Sequence, residues 1–177
     1  DEPLSVYAKR MCKRVVHENP ILLGVSFGGI LVQEMAKYVS VNKIVIVSSI
    51  KSKEEFPLPM KMAKRTNAHK LLPTQWIENI DNLAIFAFGK GIKKRVALYQ
   101  RYLSERNSEY LDWAINALVS WDQIKFSNKL IHIHGDSDSV FPIKNLINPF
   151  FKIKGGHAII ITESIWFNKE LPAILQK

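Results

Sequence analysis

Apolar residues at Leu4, Tyr7, Ala8, Met11 and Val15 recur at helical spacing, with Lys9, Arg10, Lys13 and Arg14 between them, and predict an amphipathic helix over 4–18. Asn19-Pro20 is expected to end it, because a proline pushes the preceding residue out of the helical region. The next run, Ile21-Leu22-Leu23-Gly24-Val25, is short, apolar and bounded by turn residues, as a buried strand is. Helical spacing returns from Phe27 to about Val39, and Lys43-Ile44-Val45-Ile46-Val47 is a β-branched run of the kind found in parallel strands covered on both faces. Helix, strand, helix, strand in the first 50 residues predicts an α/β fold with a mostly parallel sheet flanked by helices.

The stretch 52–126 has a different character. Pro57, Pro59 and Pro73 interrupt its first part, and helix-spaced apolar positions follow over 75–88, 91–105 and 108–120. It reads as a helical insertion into a core formed by 1–51 and 127–177. Its aromatic residues Trp76, Phe86, Phe88, Trp113 and Trp121 are read as core or pocket lining. Strand character resumes at Leu130-Ile131-His132-Ile133-His134, ending at Gly135, and again at Phe150-Phe151-Lys152-Ile153. A last amphipathic helix is predicted over 163–175, with Ile165, Trp166, Leu171 and Ile174 facing inward.

Composition adds limits. The 177 residues carry 25 Lys and Arg against 16 Asp and Glu, a net charge of +9, but no run reaches the five or six like charges of an interaction tail. The basic residues, Lys51 and Lys53 among them, are therefore read as a solvated surface rather than a nucleic-acid site. Apolar runs fall short of the roughly 20 residues of a membrane span. The single cysteine, Cys12, excludes an intrachain disulfide and makes a reducing, cytoplasmic compartment the simplest expectation. It falls with Ala8 and Val15 on the first helix and is expected to be packed and inert.

The chemistry concentrates at predicted strand ends. Gly24-Val25-Ser26-Phe27-Gly28 fits G-x-S-x-G where a strand passes into a helix, a turn that lifts a serine hydroxyl above the sheet edge while its glycines let backbone pass close. The next N–H, that of Phe27, points at the same spot and is the candidate oxyanion donor. A serine nucleophile needs a base, and the base an orienting acid. His134-Gly135-Asp136-Ser137-Asp138-Ser139-Val140-Phe141-Pro142 brings carboxylates to the end of the third strand, and Gly155-Gly156-His157 puts a histidine on a glycine-flanked loop after the last. His132 and His134, two apart on a strand, share one face, and hydrogen-bonded strand histidines account for them more simply than a metal. Ser48 and Ser49 end the second strand, either as a structural turn or as residues looking into the site.

With these three motifs in the order serine, acid, histidine, the chain resembles the α/β-hydrolase superfamily over essentially its whole length. The resemblance implies a serine hydrolase on a carboxylic ester, thioester or related acyl compound. It places the nucleophile at Ser26, the base at His157, and the acid at Asp138, the last position of G-x-x-D with Pro142 following. Asp136 is the rival acid, expected instead to support the turn. The resemblance also makes 52–126 a cap, with Trp76, Phe86, Phe88 and Trp113 as candidate substrate contacts, and implies neither cofactor nor metal. Only about 20 residues precede the elbow strand, where the family has several strands and a second oxyanion donor. The first residue is Asp1, so the chain reads as a piece of something longer. The elbow strand is therefore expected at an exposed edge, given to self-association or to pairing with a missing N-terminal segment. The alternative to an active hydrolase is an impaired fragment or a non-catalytic binding or assembly module on the same fold.

Overall fold

The computed structural model describes residues 2–66 and 108–176. They belong to two compact units, one formed by Glu2–Phe56 with Asp122–Lys177, the other by Pro57–Trp121. In the first unit the order is α1 (Leu4–Cys12), β1 (Ile21–Val25), α2 (Phe27–Met35), β2 (Lys43–Val47), then β3 (Leu130–Gly135), β4 (Phe151–Ile153) and the helices α5 (Ile159–Thr162) and α6 (Ser164–Gln176). The second unit holds α3 (Leu58–Thr66) and α4 (Ser108–Ser120), which lie against each other. The helices expected over 75–88 and 91–105, and with them Trp76, Phe86 and Phe88, lie outside the described residues. Among the described residues no helix is long and apolar enough to cross a membrane.

The four strands form one all-parallel sheet in the order β1-β2-β3-β4. Register follows side-chain alternation. Leu22, Ile44 and Ile46 face α2 and join Val32 and Val41. Val25, Val45, Val47 and Ile133 face the other way and pack with Ile153, Ile159 and Phe167. Both faces of β2 are thus apolar, which is why that strand reads as a continuous β-branched run, whereas β3 turns Ile131 and Ile133 to one face and His132 and His134 to the other. β1 stands at the edge, and on its α6-facing side Ile21 and Leu23 remain 38% and 42% exposed.

Three expectations are corrected. The first helix stops at Cys12, not near Glu18; Val16, which helical spacing does not place with the apolar stripe, is exposed, and the chain turns there to enter β1. Ile165 points outward at 85% exposure, because the inward stripe of α6 runs through Phe167, Leu171 and Ile174, and Ile165 lies about 200° around the helix from Phe167. Lys51 is not on the solvated surface. At 1% exposure its ammonium donates to the Ile147 and Pro149 carbonyls, lies 3.6 Å from Glu55 Oε1 and sits over the Phe126 ring. Glu55 in turn accepts from the Lys51 and Ile147 N–H groups, so the pair pins the loop after β2 to the segment before β4. Burial lowers the Lys51 ammonium and raises the Glu55 carboxyl from their ordinary values, and their mutual attraction opposes both shifts.

Candidate active site

Every residue of the site stands at the carboxyl end of a parallel strand, where loops converge in open α/β sheets. Ser26 occupies the single position between β1 and α2. Its φ of 54° and ψ of −122° lie in a region L-residues rarely adopt. Its N–H donates to the Val47 carbonyl at 2.9 Å, which fixes the strained residue to the neighbouring strand. The turn closes only because residue 24 lacks a side chain: a Cβ there would lie 2.0 Å from the Gly28 carbonyl oxygen. Gly29 is equally crowded, 2.4 Å from Ser49 Oγ, whereas a Cβ at Gly28 meets nothing within 4 Å. Crowding thus falls on Gly24 and Gly29; the second glycine of the sequence pattern is sterically idle.

The acid turn and the histidine loop are stitched to each other. Asp136 N–H donates to Ile153, Ser137 N–H donates to the Gly155 carbonyl, and Asp136 Oδ1 accepts from Gly155 N–H at 3.0 Å. Gly135 lets the loop cross the strand end, since a Cβ there would stand 2.4 Å from the Gly155 carbonyl oxygen. Asp136 therefore spends its carboxylate on the turn. Asp138 is buried beneath it. Its Oδ1 accepts from the N–H groups of Val140 and Phe141 at 2.8 and 3.0 Å, and its Oδ2 lies 2.8 Å from His157 Nδ1. His157 Nε2 is 2.9 Å from Ser26 Oγ. An ionised carboxylate only accepts, so His157 Nδ1 carries the proton and Nε2 is left to accept from the Ser26 hydroxyl. Burial alone would raise the Asp138 carboxyl. The hydrogen bonds from His134 and His157, the His157 charge and the Phe141 N–H outweigh it and hold the group below the usual carboxylate range.

Ser26, Asp138 and His157 are thus brought together, and Phe27 follows the serine as the first residue of α2. Trp113 lies on α4 in the other unit, its ring 5.5 Å from that of Tyr110. His132 and His134 do more than fill a strand face. His134 Nε2 lies 2.9 Å from the Phe141 carbonyl and 3.1 Å from Asp138 Oδ2, and its Nδ1 lies 2.9 Å from His132 Nε2. Their ring nitrogens are turned to each other and to the acid turn rather than to a common centre. The two-residue spacing put them on one face; that the face meets Asp138 follows from the turn folding back, which alternation does not encode. Burial, then the charges of His134 and Lys51, push His132 down to about 2 against weaker pulls from the Ser49 backbone and Asp138, so it stays neutral. Ser48, at φ 49°, and Ser49 are buried, and neither hydroxyl has a hydrogen-bond partner among the described residues. Cys12 is part-buried with its thiol directed to the Met35 carbonyl, and burial raises it. A groove of about 340 Å³, lined by Gln33, Lys37, Val41, Gln123 and Lys129 among others, lies by the amino ends of β2 and β3 and includes none of the site residues.

No protein-family model and no curated protein matches the chain by sequence. Solved structures do resemble it. A hydrolase from Pseudomonas aeruginosa PA01 superposes with a TM-score of 0.71 at 16% identity, over 99% of this chain and 72% of that one. A thermophilic esterase from Thermogutta terrifontis gives 0.70 at 11% identity, over 99% and 72%. A bromoperoxidase from Bacillus anthracis gives 0.65 at 15% identity, over 98% and 73%. At these identities the likeness speaks for architecture, and it agrees with the parallel sheet and its loops: the chain has the α/β-hydrolase fold.

Proposed function

We propose that the chain is a serine hydrolase that cleaves a carboxylic ester, thioester or related acyl compound through Ser26, His157 and Asp138. The observation that carries this reading is the continuous path from Ser26 Oγ to His157 Nε2 at 2.9 Å and from His157 Nδ1 to Asp138 Oδ2 at 2.8 Å, headed by a serine in a strained backbone conformation. Ser26 Oγ attacks the acyl carbon as His157 Nε2 takes its proton. Asp138 stabilises the imidazolium and keeps it oriented. The Phe27 N–H, adjacent to the nucleophile, is the oxyanion donor this chain offers. His157 returns the proton to the leaving group, and water repeats the sequence to release the acid. Trp76, Phe86, Phe88 and Trp113 are the candidates for the apolar acyl pocket. Esterases and a hydrolase among the similar structures support the reaction class.

A second reading, a binding or assembly module on the same fold, is favoured by one feature, the edge strand β1 with Ile21 and Leu23 exposed. Intact-mass spectrometry before and after a fluorophosphonate separates the two. A single adduct that disappears in Ser26→Ala, with labelling slowed by orders of magnitude in Asp138→Asn, supports the hydrolase. Wild-type chain that is folded yet takes no adduct overturns it in favour of the module.

A further inference from the structure

The path through the site does not end at Asp138. Oδ2 of that residue faces two imidazole nitrogens, His157 Nδ1 at 2.8 Å and His134 Nε2 at 3.1 Å. His134 is fully buried, as is its neighbour His132. The proton positions follow from what each nitrogen meets. His134 Nε2 faces the Phe141 carbonyl and the Asp138 carboxylate, both of which only accept, so it must carry a proton and shares it between them. In a neutral ring Nδ1 is then bare and needs a donor, and His132 Nε2 at 2.9 Å is the group placed to supply one. That leaves His132 Nδ1 bare as well; it makes no hydrogen bond of ordinary geometry among the described residues, and only the Ser49 backbone pulls weakly on the ring. A second proton on His134 would force the His132 proton onto that nitrogen, a buried donor with at best a poorly aligned contact to the Ser49 backbone among the described residues. The Phe150 ring lies 5.7 Å from His132 and 6.5 Å from His134, closing the pair off.

We propose that His134 is a positioning residue for the site, holding Asp138 Oδ2 where it meets His157 and clamping the 138–141 turn through the Phe141 carbonyl, and that His132 fixes His134 in the tautomer that does so. With it, all four hydrogen bonds to the Asp138 carboxylate come from separate donors: two backbone N–H groups on Oδ1, two imidazoles on Oδ2. The carboxylate is left no alternative rotamer that keeps its partners. The kinetic consequence rests on the hydrolase reading of Ser26; the tautomer assignment does not.

The experiment therefore has an arm for each. Long-range proton–nitrogen correlation on chain labelled with ¹⁵N-histidine reads the tautomers directly, with His134→Phe and His132→Phe used for assignment. Expected are Nε2–H forms of both His134 and His132. An Nδ1–H or doubly protonated His134, or a His132 protonated at Nδ1, overturns the proposal. In the second arm the fluorophosphonate labelling rate, and kcat and KM on any ester found, are compared for wild type, His134→Phe and His134→Gln, each checked for cooperative melting. His134→Phe is expected to lose about tenfold in labelling rate and kcat with KM unchanged, the scale of one hydrogen bond to a charged group. His134→Gln, whose amide can donate from the same reach, is expected to recover to within about threefold. A folded His134→Phe that labels at the wild-type rate overturns the proposal. If His134→Phe does not fold, a tenfold loss in His134→Gln overturns it and recovery supports it. A wild-type chain with the expected tautomers but no adduct upholds the histidine pair and refutes only the hydrolase reading.

Discussion

The turn that carries Ser26 makes a sharp prediction, because its two flanking glycines differ in what surrounds them. In Gly24→Ala the new methyl would stand 2.0 Å from the Gly28 carbonyl oxygen and 2.3 Å from its carbon, and both are backbone atoms that no rotamer change can move. Real contacts of this kind do not fall below 3.0 Å, so the start of α2 must retreat by about 1 Å. Overpacking against a side chain costs about 1–3 kcal/mol. Against rigid backbone at the end of a strand the cost belongs at or above about 3 kcal/mol, which lowers Tm by roughly 6–12 °C in a chain of this size. The same retreat takes Ser26 Oγ out of the 2.9 Å contact with His157, so any surviving folded protein should label slowly with a fluorophosphonate. Gly28→Ala is the internal control. Its Cβ enters open space at an ordinary helical φ, and less backbone entropy is lost on folding, so stability should rise by about 0.5 kcal/mol and Tm by roughly 1–2 °C. Calorimetry and the labelling rate check both variants. Equal tolerance of alanine at the two positions, or the reverse order, would refute the steric account of the turn.

Other parts of the structure are testable in the same way. His132 is held neutral in the folded chain, with its folded pKa depressed to about 2, while the unfolded chain protonates it below about 6.5; the unfolded state then binds the extra proton and stability must fall as pH drops. Urea unfolding should show about 1–2 kcal/mol more loss between pH 7 and pH 5 in wild type than in His132→Phe, and parallel pH curves would count against the burial argument. Lys51→Met leaves the Glu55 carboxylate buried against two N–H groups, so each single variant of the Lys51–Glu55 pair should lose about 3–5 kcal/mol, with Lys51→Met/Glu55→Gln losing far less than their sum; additivity would show the pair to be uncoupled. The exposed β1 edge predicts association: sedimentation velocity should find dimers or larger species that Leu23→Lys shifts toward monomer, and a wild type monomeric at tens of micromolar would defeat that expectation.

What could be read from the sequence, and what could not, divides by the range of the interactions concerned. β1 and β2 were legible to the residue because an apolar or β-branched run between turn residues is a local signal, and helix 108–120 was legible because its stripe is regular. The order serine, acid, histidine at the ends of β1, β3 and β4 is likewise visible once the strands are placed, because a parallel sheet gathers those ends on one edge. Lys51 was misread because nothing near it in sequence says that carbonyls at 147 and 149 will receive its ammonium. The acid turn hides its inner partner for the same reason: His134 and Asp138 are four residues apart on what reads as a strand followed by a loop, and only the return of the chain through Phe141 makes them neighbours. The motif glycines show a subtler limit. A pattern names Gly24 and Gly28 alike, but crowding is a property of the folded turn, and it falls on Gly24 and Gly29.

These long-range contacts also explain how a site made of three loops holds distances of 2.8 and 2.9 Å. Each loop is tied to its neighbour by hydrogen bonds that have a backbone group on at least one side. Ser26 N–H is anchored on β2, the acid turn and the histidine loop exchange hydrogen bonds between 136–137 and 155, and Lys51 with Glu55 binds the segment that leads back to β4. The side chains that face the serine therefore inherit positions set by the sheet rather than by their own loop entropy, which is the condition for low reorganisation during a reaction. β1 and β4 each have a strand neighbour on one side among the described residues, whereas β2 and β3 have two. The position of Ser26 then rests on the single ladder to β2, on the Val47 carbonyl and on the tight approach at Gly24. The histidine loop follows the other edge strand, but it is also tied to the acid turn by the bonds between 136–137 and 155. Whatever covers the free edge of β1 would therefore act on the reactivity of Ser26 more than on the geometry of His157 and Asp138.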